Sequence, residues 1–144
     1  MIRFTAEKVA LPEWVVRHQN ELRRWINGVA AFYGFQTGDI TYLLCDDDYI
    51  LQTNRAFLQH DYYTDVITFD YSTDAVLAGD IVISLETVKS NAETEGVPFG
   101  QELCRVLIHG ILHLTGQGDK TPDTKEEMTR KENLALATLP VLRF

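Results

Sequence analysis

The sequence is poor in the features that mark several protein classes. Only two of its 144 residues are cysteine, Cys45 and Cys104. They lie far apart and form no C-x-x-C pair, so they read as free buried thiols in a reducing compartment. No apolar run approaches the eighteen or more residues of a membrane span, so no membrane association is expected. The first residues carry Arg3 and Glu7 and lack the apolar core of a signal peptide; the expected location is the cytoplasm. Repeats, low-complexity tracts and linkers are absent. Positive charge is scarce: 13 Lys and Arg stand against 21 Asp and Glu, a net charge of −8. Phosphate affinity comes mainly from Lys and Arg, so any nucleic-acid contact must rely on a local basic patch. What remains is 45% apolar and 24% charged, the balance of a folded globular chain rather than a disordered one. One domain spanning residues 1–144 is expected, large enough to fold without a disulfide or a metal.

Residues 2–5 form a candidate strand. Pro12 suits the first turn of a helix whose apolar face includes Trp14, Leu22, Trp25, Ile26, Val29, Phe32 and Tyr33, with Gly34 as its stop. Residues 39–45 alternate as a strand. Asp46, Asp47 and Asp48 suggest a metal loop at first sight, but an N-cap and first turn account for them better, ahead of a helix over about 48–59. Residues 65–71 and 79–84 read as two further strands, close enough in sequence to be antiparallel neighbours. Ser84 caps a helix to about Gly96, Pro98 opens one ending near Gly116, and Thr121-Pro122 starts a charged helix to about Leu139. The pattern is that of an α+β or mixed α/β layer, a small sheet covered by helices.

Residues 99–115 carry the chemistry. Phe99, Leu103, Val106, Leu107, Gly110, Ile111 and Leu114 share one helical face, and Ile108 with Leu112 make the opposite face apolar too. A helix apolar nearly all round is a buried one. His109 and His113 sit on its flank, four residues apart, so their rings are stacked neighbours. Burying two imidazoles without partners is costly. Gly116 follows His109 by seven residues and can reverse the chain, which brings Asp119, ten residues after His109, back beside both rings. A chance match to this spacing is roughly a one-in-a-thousand event. Two nitrogens and one carboxylate leave a coordination position open, the layout of a catalytic zinc site rather than a structural one. Zinc suits the donors best; iron, manganese and nickel are chemically possible. Metalloproteases with similar spacing place Glu directly after the first His as general base. Here that position is Gly110, which weakens the protease reading and suits close helix packing.

The segment His109-Gly110-Ile111-Leu112-His113-Leu114-Thr115-Gly116 resembles the H-G-x-L-H-L-x-G signature of the YbeY family of bacterial metal-dependent endoribonucleases. The resemblance extends to Asn54, to Thr64-Asp65-Val66-Ile67-Thr68-Phe69 and to Gly79-Asp80-Ile81-Val82-Ile83-Ser84, and so covers essentially the whole chain. It implies an α+β fold, a small mixed four-stranded sheet packed with about five helices, and one zinc ion held by His109, His113 and Asp119. It also implies cleavage of single-stranded RNA in maturation of the small-subunit ribosomal RNA and in ribosome quality control, with the small subunit as partner and no DNA.

Two positions depart from the family pattern. The third ligand is usually His and here is Asp119, a change that alters charge at the ion. An Arg associated with nuclease activity usually stands six residues before the Thr-Asp pair, where this chain has Leu58. A cation there would stabilise charge developing on a phosphodiester. Arg55 and His60 are candidate substitutes, and Asp65 is a candidate base. Asp65 and Asp80 also read as turn-fixing residues or as partners orienting the metal-bound imidazoles. Lys120, Lys125, Arg130 and Lys131, with Arg55, form a candidate basic patch, although Glu126, Glu127 and Glu132 are interleaved as on a solvated helix face. The leading expectation is a metal-dependent endoribonuclease. A metalloprotease and a non-enzymatic assembly factor are the alternatives.

Overall fold

A computed structural model describes residues 1–58 and 65–139. Four strands, β1 (Ile2–Ala6), β2 (Gln36–Cys45), β3 (Val66–Asp70) and β4 (Val76–Ser84), form one sheet in the order β1-β2-β4-β3. β1, β2 and β4 are parallel, and β3 pairs antiparallel with β4. The helices are α1 (Glu13–Arg17), α2 (Gln19–Phe32), α3 (Asp47–Thr53), α4 (Leu85–Glu95), α5 (Phe99–Leu114) and α6 (Pro122–Ala137). The mixed four-stranded sheet and the antiparallel β3–β4 pair are those expected.

The described residues hold six α-helices where about five are expected, because the first one breaks. The His18 backbone leaves helical geometry (φ −114°, ψ 21°) and its ring Nδ1 lies 2.7 Å from the Trp14 carbonyl oxygen. The helix expected over about 48–59 is also divided. It runs regularly to Thr53 and then widens into a π turn, Asn54–Leu58. Asp46 is the cap of α3, accepting from the Tyr49 backbone N–H at 2.8 Å, so the acidic triplet does the work of a helix start. Asp47 ties that start to the next helix, accepting from the Ser84 and Thr87 hydroxyls at 2.5 and 2.6 Å.

α5 lies against the sheet as the central buried helix. Leu103, Leu107, Ile108, Ile111 and Leu112 have no exposed surface. Tyr42, fully buried on β2, donates its hydroxyl to the Leu107 carbonyl at 2.8 Å, which fixes the helix over the sheet. Trp25 on α2 donates to the Ala135 carbonyl at 2.8 Å and ties α6 to the same core. At Gly110 α5 lies close against Ile81 of β4. A Cβ there would lie 2.8 and 2.9 Å from two branches of the Ile81 side chain. The position that would carry a protease's general base is thus filled by packing.

Both cysteines are buried thiols, as expected, and burial pushes each pKa up to about 12. Thiolate is the reactive form. The native protein at pH 8 is expected to give no reaction with a thiol reagent such as dithionitrobenzoate. Two equivalents per chain should react once denaturant is added.

Candidate metal centre

The site stands where α5 ends and the chain turns back. Gly116 adopts φ +99°, a backbone region that favours glycine, and the Gly116 and Gln117 N–H groups close the helix on the His113 and Leu112 carbonyls at 2.9 and 3.1 Å. The reversed segment then reaches Thr121. Its side chain and that of Thr124 cap α6 reciprocally, with Pro122 in the first turn. Two capped helix ends therefore hold the short loop that carries Asp119.

The loop delivers Asp119 to both imidazoles. Its Oδ2 lies 3.4 Å from His109 Nε2 and 3.4 Å from His113 Nε2. The three ligand atoms all lie within 4.8 Å of one another. A separation of 3.4 Å is long for an N–H···O bond. It matches the edge of a tetrahedron with metal–ligand bonds of about 2.0–2.1 Å, roughly 3.3–3.4 Å. Donor chemistry and spacing thus both fit a divalent ion such as zinc. The two rings stand edge to face with centroids 4.5 Å apart, and each keeps part of its surface open to solvent.

The two histidines differ in their support. His109 donates from Nδ1 to Glu132 Oε2 at 2.6 Å. Burial works to lower its pKa, but the Glu132 hydrogen bond and the carboxylates of Glu132, Asp119 and Asp65 overcome this and leave it raised. His113 has its pKa lowered, by burial and then by the neighbouring His109. Asp119 and a hydrogen bond with the Gln117 backbone oppose that shift.

Among the other residues singled out from sequence, Asp65 is brought within electrostatic reach of His109. It immediately precedes β3, and its carbonyl accepts from the Ser84 N–H at 3.0 Å, so it also fixes strand entry. Arg55 lies exposed on the π turn. His60 and Thr64 fall outside the described residues. Asn54 is buried at the start of that turn. Asp80 faces Tyr71, whose hydroxyl lies 3.4 Å from its Oδ2. The expected basic patch is thinner than its composition. Arg130 and Lys131 turn to Glu127 at 3.8 and 3.7 Å, and Lys131 also lies 4.9 Å over the Tyr33 ring. Lys120, Lys125 and Arg130 are its exposed cations after the metal loop.

Glu132 is the residue that charge patterning misplaced. It is not on a solvated face but 7% exposed, between Met128 and Ala135 on the buried stripe of α6. The signal was present in the spacing: Met128, Glu132 and Ala135 follow the period of one helix face. A lone acid in such a stripe needs a partner, and here it has two, His109 and Arg105.

The chain matches the family model for endoribonuclease YbeY over residues 5–140. It is 50% identical over 139 residues to the endoribonuclease YbeY of Parabacteroides distasonis, covering 96% of each chain. It is 49% identical over 136 residues to that of Bacteroides thetaiotaomicron, covering 94% of this chain and 97% of the relative. Among solved structures, the solution structure of protein TM1509 from Thermotoga maritima is similar, with a TM-score of 0.66 and 29% identity. That match covers 94% of this chain and 87% of the other.

Proposed function

The chain belongs to the YbeY endoribonuclease family, and from that premise we propose that it hydrolyses single-stranded RNA using one zinc ion held by His109, His113 and Asp119. The observation that carries this reading is the meeting of two Nε2 atoms with one carboxylate oxygen at the spacing a tetrahedral ion requires. When bound, such an ion supplies Lewis acidity, polarising a phosphodiester or acidifying water. The chain's own groups do the rest. The imidazoles and Asp119 are held by two capped helix ends. Asp65, within electrostatic reach of His109, offers a carboxylate as proton acceptor. Lys120 and Lys125 flank the loop, where they meet phosphates. Arg55 and His60 are the candidate cations for the scissile group.

The proposed setting is maturation of the small-subunit ribosomal RNA at its 3′ end, with ribosome quality control, in the cytoplasm. A protein of net charge −8 with so few exposed cations at its site holds naked RNA weakly. Docking through the ribosomal small subunit relieves that difficulty.

The test offers single-stranded RNA and an unstructured polypeptide to the zinc-loaded protein, before and after chelation. RNA cleavage that stops with chelator and returns with zinc is expected, with the polypeptide intact. Asp65→Asn is expected to slow cleavage about 100-fold while metal content stays unchanged. Cleavage of the polypeptide with the RNA intact would show a metalloprotease instead.

A further inference from the structure

We propose that Glu132 is a positioning residue of the metal centre, holding His109 as the tautomer with its proton on Nδ1 and its Nε2 lone pair aimed at the ion. The inference rests on the metal reading above and adds to it a group on another helix.

The geometry is a chain of four side chains. His109 Nδ1 lies 2.6 Å from Glu132 Oε2, and Arg105 Nη1 lies 3.2 Å from Glu132 Oε1. Arg105 Nε in turn lies 3.6 Å from Glu102 Oε1. Glu102 and Glu132 are both only 7% exposed. A carboxylate so buried is stable only when its oxygens are matched to donors. Glu132 has each of its two oxygens occupied by a different partner, so it cannot swing away from His109 without abandoning Arg105.

A neutral imidazole carries one proton, and the nitrogen that lacks it is the ligand. With Nδ1 committed to Glu132, Nε2 is left without a proton, and it is Nε2 that stands 3.4 Å from Asp119. A carboxylate behind a ligating imidazole also raises its basicity. His113 is supported by Asp119 and the Gln117 backbone, and Glu132 is bonded to His109. Glu132 lies on α6 beyond the Asp119 loop, so the segment that supplies the third ligand is followed by the one that orients the first.

The experiment measures Zn²⁺ affinity by chelator competition for the full-length parent, Glu132→Gln and Glu126→Gln. Glu126 is an exposed acid on the same helix and serves as the control. Glutamine keeps the shape of Glu132 and one acceptor oxygen for His109, but it loses the charge and its amide NH2 cannot accept from Arg105. A melt of each variant is measured alongside and separates a folding defect from a loss of metal affinity. A 10- to 100-fold weaker affinity is expected for Glu132→Gln, with the control unchanged. Parent-like affinity within threefold in Glu132→Gln overturns the proposal and leaves the metal reading standing. A parent that binds no zinc overturns both. Nitrogen–proton correlation spectra of the zinc-loaded parent need no variant. A slowly exchanging proton on His109 Nδ1 is the expected result, and a proton or metal exchanged between the two ring nitrogens would contradict it.

Discussion

Replacing both imidazoles, His109→Ala with His113→Ala, is expected to reduce zinc from about one ion per chain to none and RNA cleavage to background. The reason is that Asp119 alone, on an exposed loop, offers a single oxygen. A single carboxylate competes poorly with water for a divalent ion. The same change should remove the response of stability to zinc. An ion present at a thousandfold over its dissociation constant stabilises the native state by about 4 kcal/mol. For a chain of this size that raises the thermal midpoint by on the order of 10 °C. The parent should show this rise on zinc addition, and the double variant should not. Without zinc the double variant should melt below the parent, because His109→Ala leaves one oxygen of the buried Glu132 carboxylate without its donor. The response to zinc, not the zinc-free midpoint, is the diagnostic difference. Metal content by mass spectrometry and melts with and without zinc check both halves.

Gly79→Ala is expected to cost about 3 kcal/mol of stability, at the upper end for an overpacked site. A Cβ at Gly79 would sit 2.3 Å from the Phe69 carbonyl oxygen and 3.3 Å from a Leu114 methyl. The oxygen belongs to the β3–β4 ladder, in which Phe69 pairs with Asp80, so it has no rotamer by which to retreat. Relief requires that the strands part or that the end of α5, which carries His113 and Leu114, lifts. Gly28→Ala is the natural comparison. Its Cβ would meet nothing within 4 Å on α2, and alanine there should add about 0.5–1 kcal/mol. Urea unfolding of the two variants measures both values. A Gly79→Ala protein as stable as its parent would mean that β3 and β4 are less closely joined than described.

The sequence carried the site further than it carried its surroundings. His109, His113, Gly116 and Asp119 were legible because each belongs to local geometry: a four-residue helix spacing, then one backbone reversal. Gly110 was legible as a packing residue for the same reason, since a helix apolar on both faces must approach something closely. Glu132 was not, because it was read with its charged neighbours Glu126 and Glu127 rather than with Met128 and Ala135 on the buried face. Charge along a sequence says little about which side of a helix faces inward; period does. The break at His18 is one residue leaving helical geometry, and the π turn after Thr53 is one widened turn. Neither leaves a mark in hydrophobic spacing. The thinning of the basic patch has a similar cause: Arg130 and Lys131 are drawn to Glu127 and Tyr33, which counts of charge do not reveal.

The measurement that bears most directly on the metal centre is an anomalous-difference map, collected at the zinc edge from crystals of the zinc-loaded protein. It should show one peak per chain, bonded to His109 Nε2, His113 Nε2 and Asp119 Oδ2 at about 2.0–2.2 Å, with the remaining position free of protein. Density with Asp119 turned to solvent and both rings hydrogen-bonded only to their neighbours, or a peak elsewhere on the chain, would contradict it.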